Sequence, residues 1–122
     1  MRKELEQIIF LGKLTDTIEL LGKTWTIQTL PFSDQVILQQ FVGNGDKQFD
    51  LMGYKKAVAK RCLVSIDDIE FKDDKEKEQF IDNLPMAIVD RIVFKYQKLD
   101  QQFNKQFEDI DTEELKNWGR TV

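Results

Sequence analysis

The sequence contains no histidine, one cysteine (Cys62), two prolines and no long apolar run. Without histidine, serine–histidine triads, cysteine–histidine pairs and histidine-ligated zinc are excluded. A single cysteine allows neither an internal disulfide nor a thiolate cluster, so a reducing, intracellular compartment is expected. Residues 1–14 hold only four consecutive apolar residues, 8–11, too few for a signal-peptide core, and no small-residue cleavage site follows. Nothing approaches the roughly 20 apolar residues of a membrane span. A glycine-rich phosphate cradle is missing too. Gly43, Gly45 and Gly53 lack its spacing, and Gly22-Lys23-Thr24 has no upstream glycine.

What the chain does hold is a core's worth of apolar residues. Of 122 residues, 41% are hydrophobic and 11% aromatic, nine of them Phe, enough for one ordered domain and too short a chain for two. Charged residues reach 33%, above the usual value of about 25%, so the surface is heavily solvated. The balance of 18 basic to 22 acidic residues, a net charge of -4, argues against a dedicated duplex-DNA binder, because phosphate neutralisation supplies most non-specific affinity.

Hydrophobic periodicity predicts an α+β fold: a small N-terminal antiparallel sheet, then three to four helices, the last one long. Residues 17–21 and 24–30 are rich in β-branched and aromatic residues and read as a hairpin. Gly22-Lys23 suits a type II′ turn between them. Trp25 and Ile27 alternate with Thr24, Thr26 and Gln28, as in a sheet with one wet face. Residues 8–14 are expected to add a third strand. Pro31 ends the sheet, Ser33 is an expected N-cap, and Val36, Leu38, Phe41 and Val42 form a short helix before the loop 43–46. A second helix is expected over residues 47–64, a loop or short extended segment over 65–71, and a brief helix over 74–83. Pro85 then opens the strongest signal. Leu84, Ile88, Ile92, Tyr96, Leu99, Phe103 and Phe107 fall at steps of 4, 4, 4, 3, 4 and 4. A helix over 86–107 is about 33 Å long, so one end must project beyond so small a domain. Residues 1–107 thus read as one domain and 108–122 as an acidic tail. In that tail Asp111, with Glu114 three residues on, has the arrangement of a capping box.

Candidate chemistry is thin. Residues 67–82 hold eight acids against three lysines, but the run lacks the glycine and alternation of a calcium loop, so a solvated segment is expected. Asp90 has no partner constellation for acid–base work and reads as a surface acid facing Arg91 or Lys95. Cys62 sits among apolar neighbours and reads as a small buried hydrophobe. Lys55, Lys56, Lys60 and Arg61 are expected to pair with the acidic block. Whether that happens within one chain or between chains, the sequence leaves open. No cofactor or metal is expected. Trp118, alone in a charged tail, reads equally as an anchor for a partner groove and as a side chain folded back onto its own domain. With Tyr96, Phe103 and Phe107 at the outer end of the long helix, it makes up the expected partner-binding surface.

The order of parts resembles a known family. A hairpin ends in Thr24-Trp25-Thr26-Ile27. The run Tyr54-Lys55-Lys56-Ala57-Val58-Ala59-Lys60-Arg61-Cys62-Leu63-Val64 leads into Ser65-Ile66-Asp67-Asp68. Leu84-Pro85 precedes a helix carrying Tyr96-Gln97-Lys98-Leu99, and Glu114-Leu115-Lys116-Asn117 follows in the tail. Over about residues 10–117 this resembles the small tail-assembly proteins of tailed bacteriophages, which include tail assembly chaperones and baseplate- or hub-associated proteins. Many relatives carry a glycine where Asp68 stands here. The resemblance implies a non-enzymatic protein of the host cytoplasm that binds other tail or baseplate proteins, such as the tape measure, and touches neither membrane nor nucleic acid. Two alternatives stand beside it: a structural virion subunit of the baseplate or tail terminus, able to homo-oligomerise, and a small acidic inhibitor of a host nucleic-acid-binding or defence protein.

These readings make opposite predictions for two kinds of substitution. Ile92→Asp or Leu84→Asp should abolish cooperative thermal unfolding, because a buried unpaired charge costs several kcal/mol. Trp118→Ala should leave the melting temperature unchanged and weaken partner binding.

Overall fold

The computed structural model describes residues 1–43 and 48–108. Its elements run α1 (Lys3–Leu11), β1 (Thr15–Leu20), β2 (Lys23–Gln28), α2 (Phe32–Gln39), α3 (Leu51–Cys62), β3 (Leu63–Ile66), β4 (Ile69–Glu70), α4 (Asp74–Asp82) and α5 (Met86–Glu108). The four strands form one antiparallel sheet in the order β1-β2-β3-β4. The fold is therefore α+β, with the long helix last. Among the described residues no helix is long and apolar enough to cross a membrane.

The hairpin forms as expected, with Ile18 opposite Trp25 and Asp16 opposite Ile27. Its turn differs. Leu21 (φ 55°) and Gly22 (φ 71°) are both left-handed, the pair a type I′ turn uses, whereas type II′ needs only one. The third strand also comes from elsewhere. Residues 8–14 do not extend the sheet: 3–11 are helical, with Glu4 and Glu6 in the first turn favouring the dipole and Gly12 closing the last one onto Ile8 O at 3.0 Å. Leu63–Ile66 pairs with β2 instead, across an irregularity between Thr26 and Ile27. Its alternation of buried Leu63 and Ser65 with half-buried Val64 and Ile66 is the strand period.

Helix starts follow local hydrogen bonding. Ser33 lies inside α2, and Pro31 is the cap, its carbonyl accepting from the Asp34 and Gln35 amides at 3.1 Å each. Asp50 caps α3 by accepting from the Gly53 amide at 3.0 Å, so that helix begins four residues later than the periodicity suggests. Gly53 is required there, because a Cβ would stand 2.8 Å from the Phe41 ring and against the Asp50 carboxylate. Asp73 caps α4 through the Glu76 amide at 2.8 Å, and Glu76 reaches back to the Lys72 amide. Pro85 stands one residue before α5, its carbonyl taking the Ile88 and Val89 amides.

The core lies between one face of the sheet and the helices. Trp25, Ile27 and Leu63 meet Val58, Cys62, Ile81, Ile92, Val93, Tyr96 and Leu99 there. Two polar contacts orient α5: Lys95 reaches Asp16 on β1 at 2.8 Å, and Lys55 on α3 reaches Asp90 at 2.8 Å. Asp90 therefore faces α3, and Arg91 and Lys95 are not its partners.

The Asp67–Asp68 turn between β3 and β4 is left-handed at both residues (φ 49° and 64°), the geometry in which glycine meets no steric penalty and aspartate only a small one. Asp68→Val should therefore destabilise the domain by about 1–2 kcal/mol, seen as a lower Tm in a thermal melt, whereas Asp68→Gly should leave Tm nearly unchanged, the small relief of strain being offset by a freer unfolded chain.

Candidate functional site

Of the described residues expected to bind a partner, Phe103 and Phe107 reach the surface and Tyr96 does not. Tyr96 is buried, and its hydroxyl accepts from Gln35 Nε2 at 2.8 Å, tying α2 to α5. Burial raises its pKa above the usual tyrosine value. It belongs to the core. Phe103 is half-buried and Phe107 is 51% exposed, their rings in edge contact at 5.3 Å between centroids. The helix stripe thus leaves the core after Leu99, and the outer end does project. Trp118 and the 111–114 capping box lie outside the described residues.

The basic stretch finds its partners within the chain, but only Lys56 and Lys60 meet the acidic block, while Lys55 pairs with Asp90 and Arg61 with Asp34. Lys56 sits 3.2 Å from Glu78 and 2.9 Å from Asp82, Lys60 3.5 Å from Glu78, and Arg61 3.4 Å from Asp34. Hydrogen bonds to Asp82 and Glu78 push the Lys56 pKa up, and the same lysine holds Glu78 below the ordinary carboxylate range. These are half-exposed pairs, individually weak, but together they leave α3 with little unpaired cationic surface. Among the described residues no three His, Cys, Asp or Glu side chains converge as metal ligands do.

Two apolar exposures went unremarked in the sequence. The first is α1. None of its nine side chains is buried, and Leu5, Ile8, Ile9, Phe10 and Leu11 stand 46–78% exposed. A helix this short is marginal in water unless its apolar face is covered. The signal for it was present: acids at positions 4 and 6, then apolar residues at 5, 8 and 9 on one face.

The second is a cleft of about 330 Å³ at the tip of the sheet, lined by Leu21, Trp25, Ile66, Ile69, Phe71 and Phe80. Trp25, Phe80 and Phe71 form a row with neighbouring ring centroids 5.7 and 5.4 Å apart. The two left-handed turns flank it and are joined to each other. Thr24 N donates to Asp67 Oδ1 (2.8 Å), Asp67 N donates to Thr24 O (2.7 Å), and Lys23 lies 3.4 Å from the same carboxylate. The Thr24 amide holds Asp67 below the usual carboxylate range, so the joint persists at neutral pH. Leu21 and Ile69, on either side, are each 73% exposed.

Comparison with protein-family models, with curated proteins and with solved structures finds no match. Among the described residues the site is therefore read from its own geometry: an exposed amphipathic helix, an aromatic-floored cleft and a projecting helix end. No strong periodic pattern points to the cleft, because Trp25 lies 41 to 55 positions from Ile66, Phe71 and Phe80, and only the fold brings them together.

Cys62 is buried, and desolvation pushes its thiol up to about 12. An aromatic disulfide reagent should leave it unmodified in the native protein and modify it fully in denaturant. Rapid native labelling monitored by absorbance contradicts the assignment.

Proposed function

We propose that the chain is a non-enzymatic tail-assembly protein of a bacteriophage that acts by binding another tail protein, with α1 as the contact element. One observation carries this reading: an amphipathic helix joined to the domain through Gly12 and Lys13, with five large apolar side chains facing solvent. A surface of this kind fits helix-in-groove recognition, in which side chains at helical spacing fill a partner's pockets. The projecting end of α5, with Phe103 and Phe107, offers further apolar area beside the tail. The family resemblance supplies the setting, with the tape measure or a baseplate component as partner.

The inhibitor alternative is less well supported. It needs free negative charge, and Asp67, Glu78 and Asp82 of the acidic block are already paired with Lys23, Lys56 and Lys60. The virion-subunit alternative differs from the leading reading in where the protein ends up, and its contacts would use the same surfaces.

Co-expression tests the reading. The tape-measure protein of the same phage should be soluble and co-purify with the wild-type chain. It should be lost with Ile8→Asp/Ile9→Asp, whose thermal melt should match the wild type because neither residue is buried. Equal recovery with both chains would falsify α1 as the contact.

A further inference from the structure

The cleft at the tip of the sheet is walled mostly by carbon. Trp25, Phe71 and Phe80 line it as a row of rings, and Leu21 and Ile69 stand exposed on either side. Leu21 holds a left-handed φ of 55°, a region that costs leucine more than glycine or aspartate. An apolar side chain kept in water on a penalised backbone points to a contact with another molecule.

The polar groups of the same cleft are of one kind. Four polar side chains line it: Lys23, Asp67, Glu70 and Glu76. Lys23, the one cation among them, pairs with Asp67 at 3.4 Å, and the other Asp67 oxygen accepts from the Thr24 amide. The Trp25 indole N–H donates to the Leu20 carbonyl at 2.9 Å, so it is not free for a ligand. The remaining groups are negative. Among the described residues Glu70 and Glu76 form no ion pair, and Glu76 uses one oxygen on the Lys72 amide. The rings add to the same sign, because the face of each is the negative part of its quadrupole. Phe71 already attracts one cation in this way: Lys77, which lines the neighbouring cavity, holds its Nζ 5.6 Å from the ring centroid.

We infer that this cleft binds a small organic cation, one ammonium group on an aromatic body. Charge selects the sign. An anion would meet two unpaired glutamates and no free cation, and a neutral ligand would leave both carboxylates without a partner. Volume selects the size. About 330 Å³ holds about ten water-sized groups at roughly 30 Å³ each, near the lower end of small-molecule sites. The rings select the body, because a further aromatic ring joins such a row by offset or edge contact. The ammonium then lies against the ring faces with Glu70 or Glu76 beside it. None of this rests on α1, which contributes no residue to the cleft.

Titration followed by NMR decides it. Phenethylammonium, phenethyl alcohol and phenylacetate share one body and differ in charge. The ammonium should bind about tenfold more tightly than the alcohol, the gain expected from ring faces and an exposed carboxylate together. Phenylacetate should not bind. The shifts should centre on the Trp25 indole N–H and the ring signals of Phe71 and Phe80. Glu70→Gln should weaken the ammonium about threefold to fivefold and leave the alcohol unchanged. Ile69→Lys should abolish the preference for the ammonium. Both side chains are exposed, so both variants should melt like the wild type. No binding of the ammonium, equal binding of all three ligands, shifts that map elsewhere, or two variants that both keep the full preference overturns the inference. N-acetyl-lysine methylamide carries the same charge on a peptide unit without the ring. It should bind at least about tenfold more weakly than phenethylammonium. If it binds equally well, the cleft reads a protein's lysine and the small-cation inference fails.

Discussion

Ile92, Val93, Tyr96 and Leu99 lie along one face of α5, and the sheet and α3 both close the core by packing on it. Burying these side chains contributes roughly 1.5–3 kcal/mol for each large one. The polar contacts along the same helix fix its rotation and height. Lys95 meets Asp16 of β1, Asp90 meets Lys55 of α3, and the Tyr96 hydroxyl meets Gln35 of α2. The last of these gives a buried hydroxyl the partner it needs, and it takes Tyr96 out of any external interface. The long helix is thus mostly a core element with a short exposed end.

With α5 occupied by the core, the surfaces left for recognition lie at the edges of the fold. α1 hangs from the end of β1 where Leu14 is pinned, and the cleft opens at the opposite end, where the two hairpin turns are tied through Thr24 and Asp67. A sheet of only four short strands separates them. Leu21, held left-handed beside Gly22, is the turn residue with the greater steric penalty, since aspartate tolerates that region and leucine does not.

The salt-bridge pattern shows how charge segregation in sequence becomes neutralisation in space. The basic run 55–61 and the acidic run 67–82 are contiguous blocks of opposite sign. The antiparallel return through β3 and β4 lays α4 beside α3, so Lys56 and Lys60 meet Glu78 and Asp82 within one chain. The sequence leaves open whether the pairing is internal. The short strands that settle it carry too little pattern, four and two residues, to be told from a loop.

Strong local signals were legible without a structure. The sustained 3.6-residue stripe of α5, the β-branched alternation of β1 and β2, and the apolar setting of Cys62 each follow from side-chain chemistry that acts within a few residues. Other features depended on competition between distant segments. Residues 8–11 are as compatible with a strand as with a helix, and in the fold they belong to α1 while β1 remains an edge strand. The position of the hairpin turn was decided by cross-strand register, and the cleft by bringing Trp25, Ile66, Phe71 and Phe80 together from three elements and a connecting segment. By itself the sequence determined the class of fold, the long helix and the absence of histidine chemistry, because these rest on composition and local period. The tertiary structure decided which apolar side chains are core and which are surface, because burial is settled by what each helix finds to pack against.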